Sequence, residues 1–240
     1  MLSSLTEIKF INMTLKVFIG WDSREDIAYQ IAKHSLQRYA SIPLTVRPIR
    51  LFEIRERQIF WRAPDPLATT EFSFSRFLTP YLAGYDGWAL FCDSDFLFRK
   101  DIAELADYMD PKYAVSVVKH DYKPTETMKK DGVVQTQYER KNWSSFMLFN
   151  CGHEQVKNLL PKVVNTESGL YLHRFQWLTD DVIGELPITF NYLEGWHTKA
   201  DEPDPIAVHF TRGGPWLKGC LDREYGHEWM EQAGIYYERQ

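Results

Sequence analysis

The sequence predicts an α/β fold, on three observations. Apolar runs of strand length alternate with amphipathic stretches of helical period through the first half of the chain, the pattern of a β-α-β-α-β start. One run, Trp88-Ala89-Leu90-Phe91-Cys92, is continuously apolar and then gives way to Asp93-Ser94-Asp95, as a buried strand does where it leaves the core. The chain has 240 residues of ordinary apolar content, long enough to bury one full core.

Taken in order, residues 15–19 form a short apolar strand that stops at Gly20. Ser23, with Asp26 three residues on, reads as a capping box for a helix through Ala40, in which Ile27, Ala28, Ile31, Ala32 and Leu36 share one face. Residues 44–49 make a strand interrupted by Pro48, and residues 70–82 a helical stretch before the strand 88–92. A helix over 101–108, strands over 113–118 and 145–149, and a helix over 154–160 follow. In the last third, residues 180–186 look helical, 206–210 form a short strand and 222–230 a final helix, while Asp201-Glu202-Pro203-Asp204-Pro205 is a loop. No repeat or low-complexity linker divides the chain. Residues 1–14 are read as an extension and 15–240 as one domain, with a nucleotide-binding half over 15–118 and an acceptor- and metal-closing half over 119–240.

The formal charge of −5 argues against a nucleic-acid partner, which requires basic surface to displace counterions. An anionic ligand would have to be held by local cations or a metal. The three cysteines, Cys92, Cys151 and Cys220, have neither the number for a disulfide framework nor the spacing of a zinc knuckle, and fit a reducing compartment. No stretch approaches the ~18 apolar residues of a membrane span. The start carries Glu7, Lys9 and Asn12 in place of a signal-peptide core, so a cytoplasmic location is expected, with room for peripheral contact with a membrane. The sequons at Asn12 and Asn142 are then chance matches.

Asp93 and Asp95 carry the chemistry. Alternate residues of an extended chain point to the same side, so both carboxylates can face one hard cation. A buried pair of like charges is costly unless a metal or other cations neutralise it. In an open α/β sheet, ligands bind beyond the carboxyl ends of the strands, which puts Gly20-Trp21-Asp22 on the same rim as Asp93 to Asp95. Gly20 would let the backbone approach a ligand, Trp21 offers a stacking face, and Asp22 an acceptor for a base or ribose. Neither Gly-x-Gly-x-x-Gly nor a P-loop occurs, which removes support for dinucleotide oxidoreductases and P-loop phosphotransferases.

Several further segments complete a pattern. Phe74-Ser75-Arg76-Phe77-Leu78-Thr79-Pro80-Tyr81-Leu82, then Trp88 to Asp95, then Asp101-Ile102-Ala103-Glu104-Leu105 resemble the heart of glycosyltransferase family 8, which includes glycogenin and the bacterial lipopolysaccharide galactosyltransferases. Ser145 to Asn150 is similar to that family's strand ending in asparagine, Thr179-Asp180-Asp181-Val182-Ile183 to its acidic helix start, and Leu186-Pro187 through Phe190-Asn191-Tyr192 to its Leu-Pro…Tyr-Asn segment. Val208-His209-Phe210 with Gly213, Gly214, Pro215 and Trp216 is similar to its C-terminal element. The resemblance implies a GT-A nucleotide-diphospho-sugar transferase fold, a central mixed, mostly parallel sheet flanked by helices. It also implies hexose transfer from a UDP-sugar to a saccharide or glycolipid acceptor, with retention at the anomeric carbon and with Mn²⁺ or Mg²⁺. Asp93, Asp95 and His209 would be the metal ligands, with Ser94 between the acids. Arg76 would grip phosphate or hold the Asp93 carboxylate, and Asp180 or Asp181 would serve the donor sugar and the charge at the anomeric carbon.

Two departures stand out. Where the family commonly has a lysine before the final Pro-Trp, this chain has Gly214; Arg212, Lys218, or the backbone N–H groups of Gly213 and Gly214 could take its place at the diphosphate. The family's Asn-Ser/Ala-Gly is here Trp143-Ser144-Ser145. Two other classes share features with the chain: a catalytically silent sugar-nucleotide-binding module, and a haloacid-dehalogenase phosphatase, which has Asp-x-Asp after a strand but expects Thr or Val where Leu97 stands.

Overall fold

The computed structural model describes residues 14–66, 68–121 and 139–239; the expected extension, apart from Thr14, lies outside them. β1 (Leu15–Gly20) leads into α1 (Asp26–Tyr39), whose Ala28, Ile31, Ala32 and Leu36 are buried as their spacing requires. The expected capping box is absent: the helix begins after Glu25 with no side-chain cap, and the Ser23 hydroxyl bonds Glu71 instead. β2 (Leu44–Ile49) accommodates Pro48 because it is an edge strand, where a missing ladder donor costs little. α2 (Leu51–Glu56) follows directly.

The expected helix over 70–82 is a 3₁₀ turn, Ser75–Leu78, running into α3 (Thr79–Leu82). Pro80 explains the break, since proline is tolerated in a helix's first turn and not in its interior. β3 (Trp88–Cys92) and β4 (Phe96–Phe98) flank the Asp-x-Asp turn, and Asp101 caps a 3₁₀ segment, Ile102–Tyr108, where an α-helix was expected. β5 (Val115–Val117), a 3₁₀ turn (Trp143–Ser145) and β6 (Phe146–Asn150) come next, then the short α4 (Glu154–Lys157), α5 (Pro161–Thr166) and α6 (Gly169–His173). Residues 180–186 are a single 3₁₀ turn followed by β7 (Ile183–Glu185), not a helix. Pro187 biases the preceding residue toward extended backbone, and Gly184 is a poor helix former that here lies tight against Ser116 and Tyr113. β8 (Tyr192–Leu193), β9 (Ala207–His209) and α7 (Gly226–Glu238) complete the order; α7 starts four residues later than expected, after Tyr225 in left-handed backbone.

The main sheet has the order β2-β1-β3-β6-β5-β7. β1 pairs in parallel with β2 and β3, and β5 with β7, while β6 runs antiparallel to β3 and β5, which makes the sheet mixed and mostly parallel. A small second sheet, β4-β9-β8, sets β4 antiparallel to β9 with Phe96 opposite His209. Hydrophobic clusters fill both faces of the main sheet, one around Phe77, Phe91 and Phe149 and one around Leu90, Phe96 and Leu148. Among the described residues, no helix is long and apolar enough to cross a membrane.

Candidate metal centre

Asp93 and Asp95 occupy the turn where the chain leaves β3 for β4, and the backbone of each is clamped. The Asp93 N–H donates to the Ser145 carbonyl at 2.9 Å, and the Asp95 carbonyl accepts from the Phe210 N–H at 2.9 Å. The second clamp extends the β4–β9 ladder and brings His209 to the acids. Its Nε2 lies 3.2 Å from Asp95 Oδ1, and ligand atoms of Asp93, Asp95 and His209 all fall within 4.8 Å of one another. The His209 ring stacks on Phe96 with centroids 4.5 Å apart and planes 16° from parallel, so one face of the imidazole is held by an apolar neighbour.

Arg76 lies behind this group. Its guanidinium is buried, 2.7 Å from Asp93 Oδ1 and 3.0 Å from the Ser144 carbonyl, with the Phe72 and Phe91 rings each 5.3 Å away. Burial on an apolar helix face is affordable for an arginine only with such partners. Asp93, Ser94, Asp95, His209 and Arg76 all line one cavity of about 310 Å³, the lower end of the roughly 300–1,000 Å³ usual for small-molecule sites.

The other residues singled out from sequence stand elsewhere. Gly20, Trp21, Asp22, Gly213, Gly214 and Lys218 are not among the residues lining this cavity. Trp21 is half-buried, donates to Asp26 at 2.7 Å and carries the Arg50 guanidinium 5.4 Å above its ring. Asp22 is buried and its two oxygens accept from Arg24 and from the Glu71 N–H; although burial opposes it, those hydrogen bonds hold its carboxyl below the usual range. Gly20 and Gly214 both make room for rings, of Phe72 and Trp216. Asp180 and Asp181 are exposed and do not line the cavity, and Asp180 pairs with Arg140 at 2.7 Å.

Three wall residues carry no signal of their own in the sequence: Asp65 in a Pro-rich loop, Lys141, buried despite its charge, and His173. His173 Nδ1 is 2.8 Å from the Ser144 hydroxyl, and burial first, then the nearby Arg76 charge, pull its pKa down to about 3. Asn191, quoted above only as part of a motif, is fully buried with its Oδ1 3.1 Å from His209 Nδ1.

Solved structures of similar fold are GT-A glycosyltransferases. The bifunctional glycosyltransferase WbbM superposes with a TM-score of 0.68 at 14% identity, over 95% of this chain and 52% of its own, so this chain spans about half of that protein. The galactosyltransferase LgtC, solved with donor and acceptor sugar analogues, gives a TM-score of 0.58 at 12% identity, over 92% of this chain and 96% of its own. The chain therefore has the GT-A glycosyltransferase fold. It belongs to the family of Protein CDI of Arabidopsis thaliana, to which it is 51% identical over 225 residues, 92% of this chain and 86% of that protein. No protein-family model matches the sequence.

Proposed function

We propose that this protein is a metal-dependent glycosyltransferase that moves a hexose from a UDP-sugar to a saccharide or glycolipid acceptor. One observation carries the reading: Asp93, Asp95 and His209, from distant stretches of chain, meet at the wall of a sugar-sized cavity in a GT-A fold. Two carboxylates and an imidazole form a donor set suited to a hard or borderline divalent ion, Mn²⁺ or Mg²⁺, rather than to a thiolate-seeking one. When bound, such an ion neutralises the charge that grows on a departing diphosphate.

The side chains of the chain position and bind. Arg76 holds Asp93 in one orientation and offsets its charge. Lys141, buried in the wall, supplies positive charge to the diphosphate in place of the lysine that Gly214 replaces. The hexose is transferred with retention: the acceptor hydroxyl attacks from the face that UDP leaves, and its proton passes to a diphosphate oxygen. Roles for Asp180 and Asp181 rest on the family resemblance alone, because neither lines the cavity. The division into a donor half over 15–118 and an acceptor half over 119–240 belongs to the same proposal.

Thermal unfolding with UDP, GDP and UDP-hexoses, with and without Mn²⁺, tests the donor class. A rise that requires both UDP and Mn²⁺ and vanishes in His209→Ala is expected; no rise, or an equal rise with GDP, overturns it. Anomer analysis of the product by NMR tests retention, and an inverted product overturns that part. UDP binding without turnover on any acceptor would instead point to a silent binding module.

A further inference from the structure

A histidine can give a ring nitrogen to a cation only where that nitrogen carries a lone pair, so the place of the proton on His209 decides whether Nε2, the nitrogen facing Asp95, is a ligand atom. A chain of buried hydrogen bonds leads to the opposite nitrogen. It starts at the backbone carbonyl of Asn142, which can only accept. The Ser145 hydroxyl donates to it at 2.6 Å, and so has no proton left for its other neighbour. Ser145 Oγ must therefore accept from the side-chain amide of Asn191, 2.9 Å away, which sets the NH₂ of that amide toward Ser145 and its oxygen toward His209. That oxygen lies 3.1 Å from Nδ1 and can only accept, so Nδ1 carries a proton, and Nε2, which faces the Asp95 carboxylate, is the nitrogen whose lone pair a cation can take.

Ser145, Asn191 and His209 are each 2% exposed or less. Solvent thus has no ready access to reset the direction of the chain. Its origin is fixed as well: Asn142 sits in left-handed backbone at φ 66°, which asparagine tolerates better than most residues, and its carbonyl also accepts the Ser145 N–H. Ser145 serves both halves of the centre, because its own carbonyl receives the Asp93 N–H while its hydroxyl directs Asn191.

We infer that Asn191 is a positioning residue: through Ser145 and the Asn142 carbonyl it fixes the His209 tautomer that leaves Nε2 open to a divalent cation. The inference rests on the reading of Asp93, Asp95 and His209 as a cation site, and two measurements separate its failure from the failure of that reading. The first is the ¹⁵N ring spectrum of histidine-labelled, metal-free protein at neutral pH, with His209 assigned by its loss in His209→Gln. A proton on Nδ1 is expected for His209 in the wild type, whether or not the Asp95 carboxylate holds a second one on Nε2, and a mixture of tautomers in Asn191→Leu; a bare Nδ1 with the proton on Nε2 alone in the wild type overturns the inference whatever the cation does.

The second is calorimetric titration with Mn²⁺ alone. Asn191→Leu should bind about 10–100-fold more weakly than wild type, the usual cost of losing a partner behind a ligating histidine, while Asn191→Asp, which keeps an acceptor toward Nδ1, should recover most of that loss. Equal Mn²⁺ affinity in wild type and Asn191→Leu, where His209→Ala is weaker than both, overturns the inference and leaves the cation site standing. Absence of Mn²⁺ binding by the wild type overturns the cation site, and with it the purpose assigned to the tautomer.

Discussion

Replacing Arg76 by methionine should cost about 3 kcal/mol of stability, and the structure supplies the terms. The guanidinium and the Asp93 carboxylate touch at 2.7 Å, with side chains 7% and 14% exposed. Opposite charges whose centres lie about 4 Å apart attract by about 4 kcal/mol at an effective dielectric constant of ~20. Breaking a buried pair by removing one partner typically costs roughly 3–5 kcal/mol because the other charge is left uncompensated. The residual exposure of Asp93 places the expectation at the lower end. For a chain of this size that corresponds to a fall in Tm of about 6–12 °C. The assay is a double-mutant cycle by thermal and urea unfolding of wild type, Arg76→Met, Asp93→Asn and the double variant. A coupling of about 2 kcal/mol is expected, since Asp93→Asn removes the charge that Arg76→Met strands. Mn²⁺ should raise the Tm of Arg76→Met more than that of the wild type, because the ion replaces the lost positive charge beside Asp93. A coupling below about 0.5 kcal/mol, within the range of independent sites, would refute the assignment of Arg76 as the partner that holds Asp93.

Three other expectations concern His173 in the cavity wall and two packing contacts outside it. His173 stays neutral in the folded protein down to about pH 3, whereas the unfolded chain takes up a proton near pH 6.5, so its stabilising contribution is whole above pH 6.5 and falls as the pH drops toward 3. Urea unfolding between pH 4 and 7 should show this loss, at most about 1.4 kcal/mol per pH unit, and His173→Gln should flatten it. Gly20→Ala should cost about 1–3 kcal/mol, because a Cβ would overlap the Phe72 ring, and it should weaken ligand binding as well, since Phe72 lines the cavity; an unchanged urea midpoint counts against the close approach. Asn165→Ala strips partners from four backbone groups, the Trp61 and Arg62 N–H groups and the Ile59 and Pro161 carbonyls, and should raise amide hydrogen exchange at Trp61 and Arg62 with a loss of about 2–3 kcal/mol.

The sequence announced its fold most clearly where strands are buried on both faces. β3 reads as a continuous apolar run and β1 as an apolar run broken only by the half-buried Lys16, because the sheet is covered on both faces there, and the helix after β1 carries a regular apolar stripe. It misled where backbone chemistry outweighs periodicity: Pro80 divides an otherwise helical pattern, and Gly184 with Pro187 turns a helix-like stretch into a strand. The two acids were visible because a polar pair ending an apolar run is conspicuous. His209 needed its place among ordered motifs, since a lone histidine after a strand says little. Lys141 and His173 were silent, and Ser145 and Asn191 showed only as members of motifs with no hint of their link to His209, because what gives them meaning is enclosure by segments far away in the chain. In sequence they look like ordinary polar residues of loops and turns.

The antiparallel pairing of β4 with β9 also has a consequence for the order of events during folding. The six-stranded sheet is complete once β7 has formed, yet His209, the third residue of the proposed cation site, arrives only with β9. A growing polypeptide can thus assemble most of its framework while two acids stand without their imidazole, and on the proposed cation site tight ion capture waits for a late, long-range loop closure. A fragment ending before Ala207 should fold its large sheet yet hold manganese poorly, so ion affinity reports completion of the whole architecture.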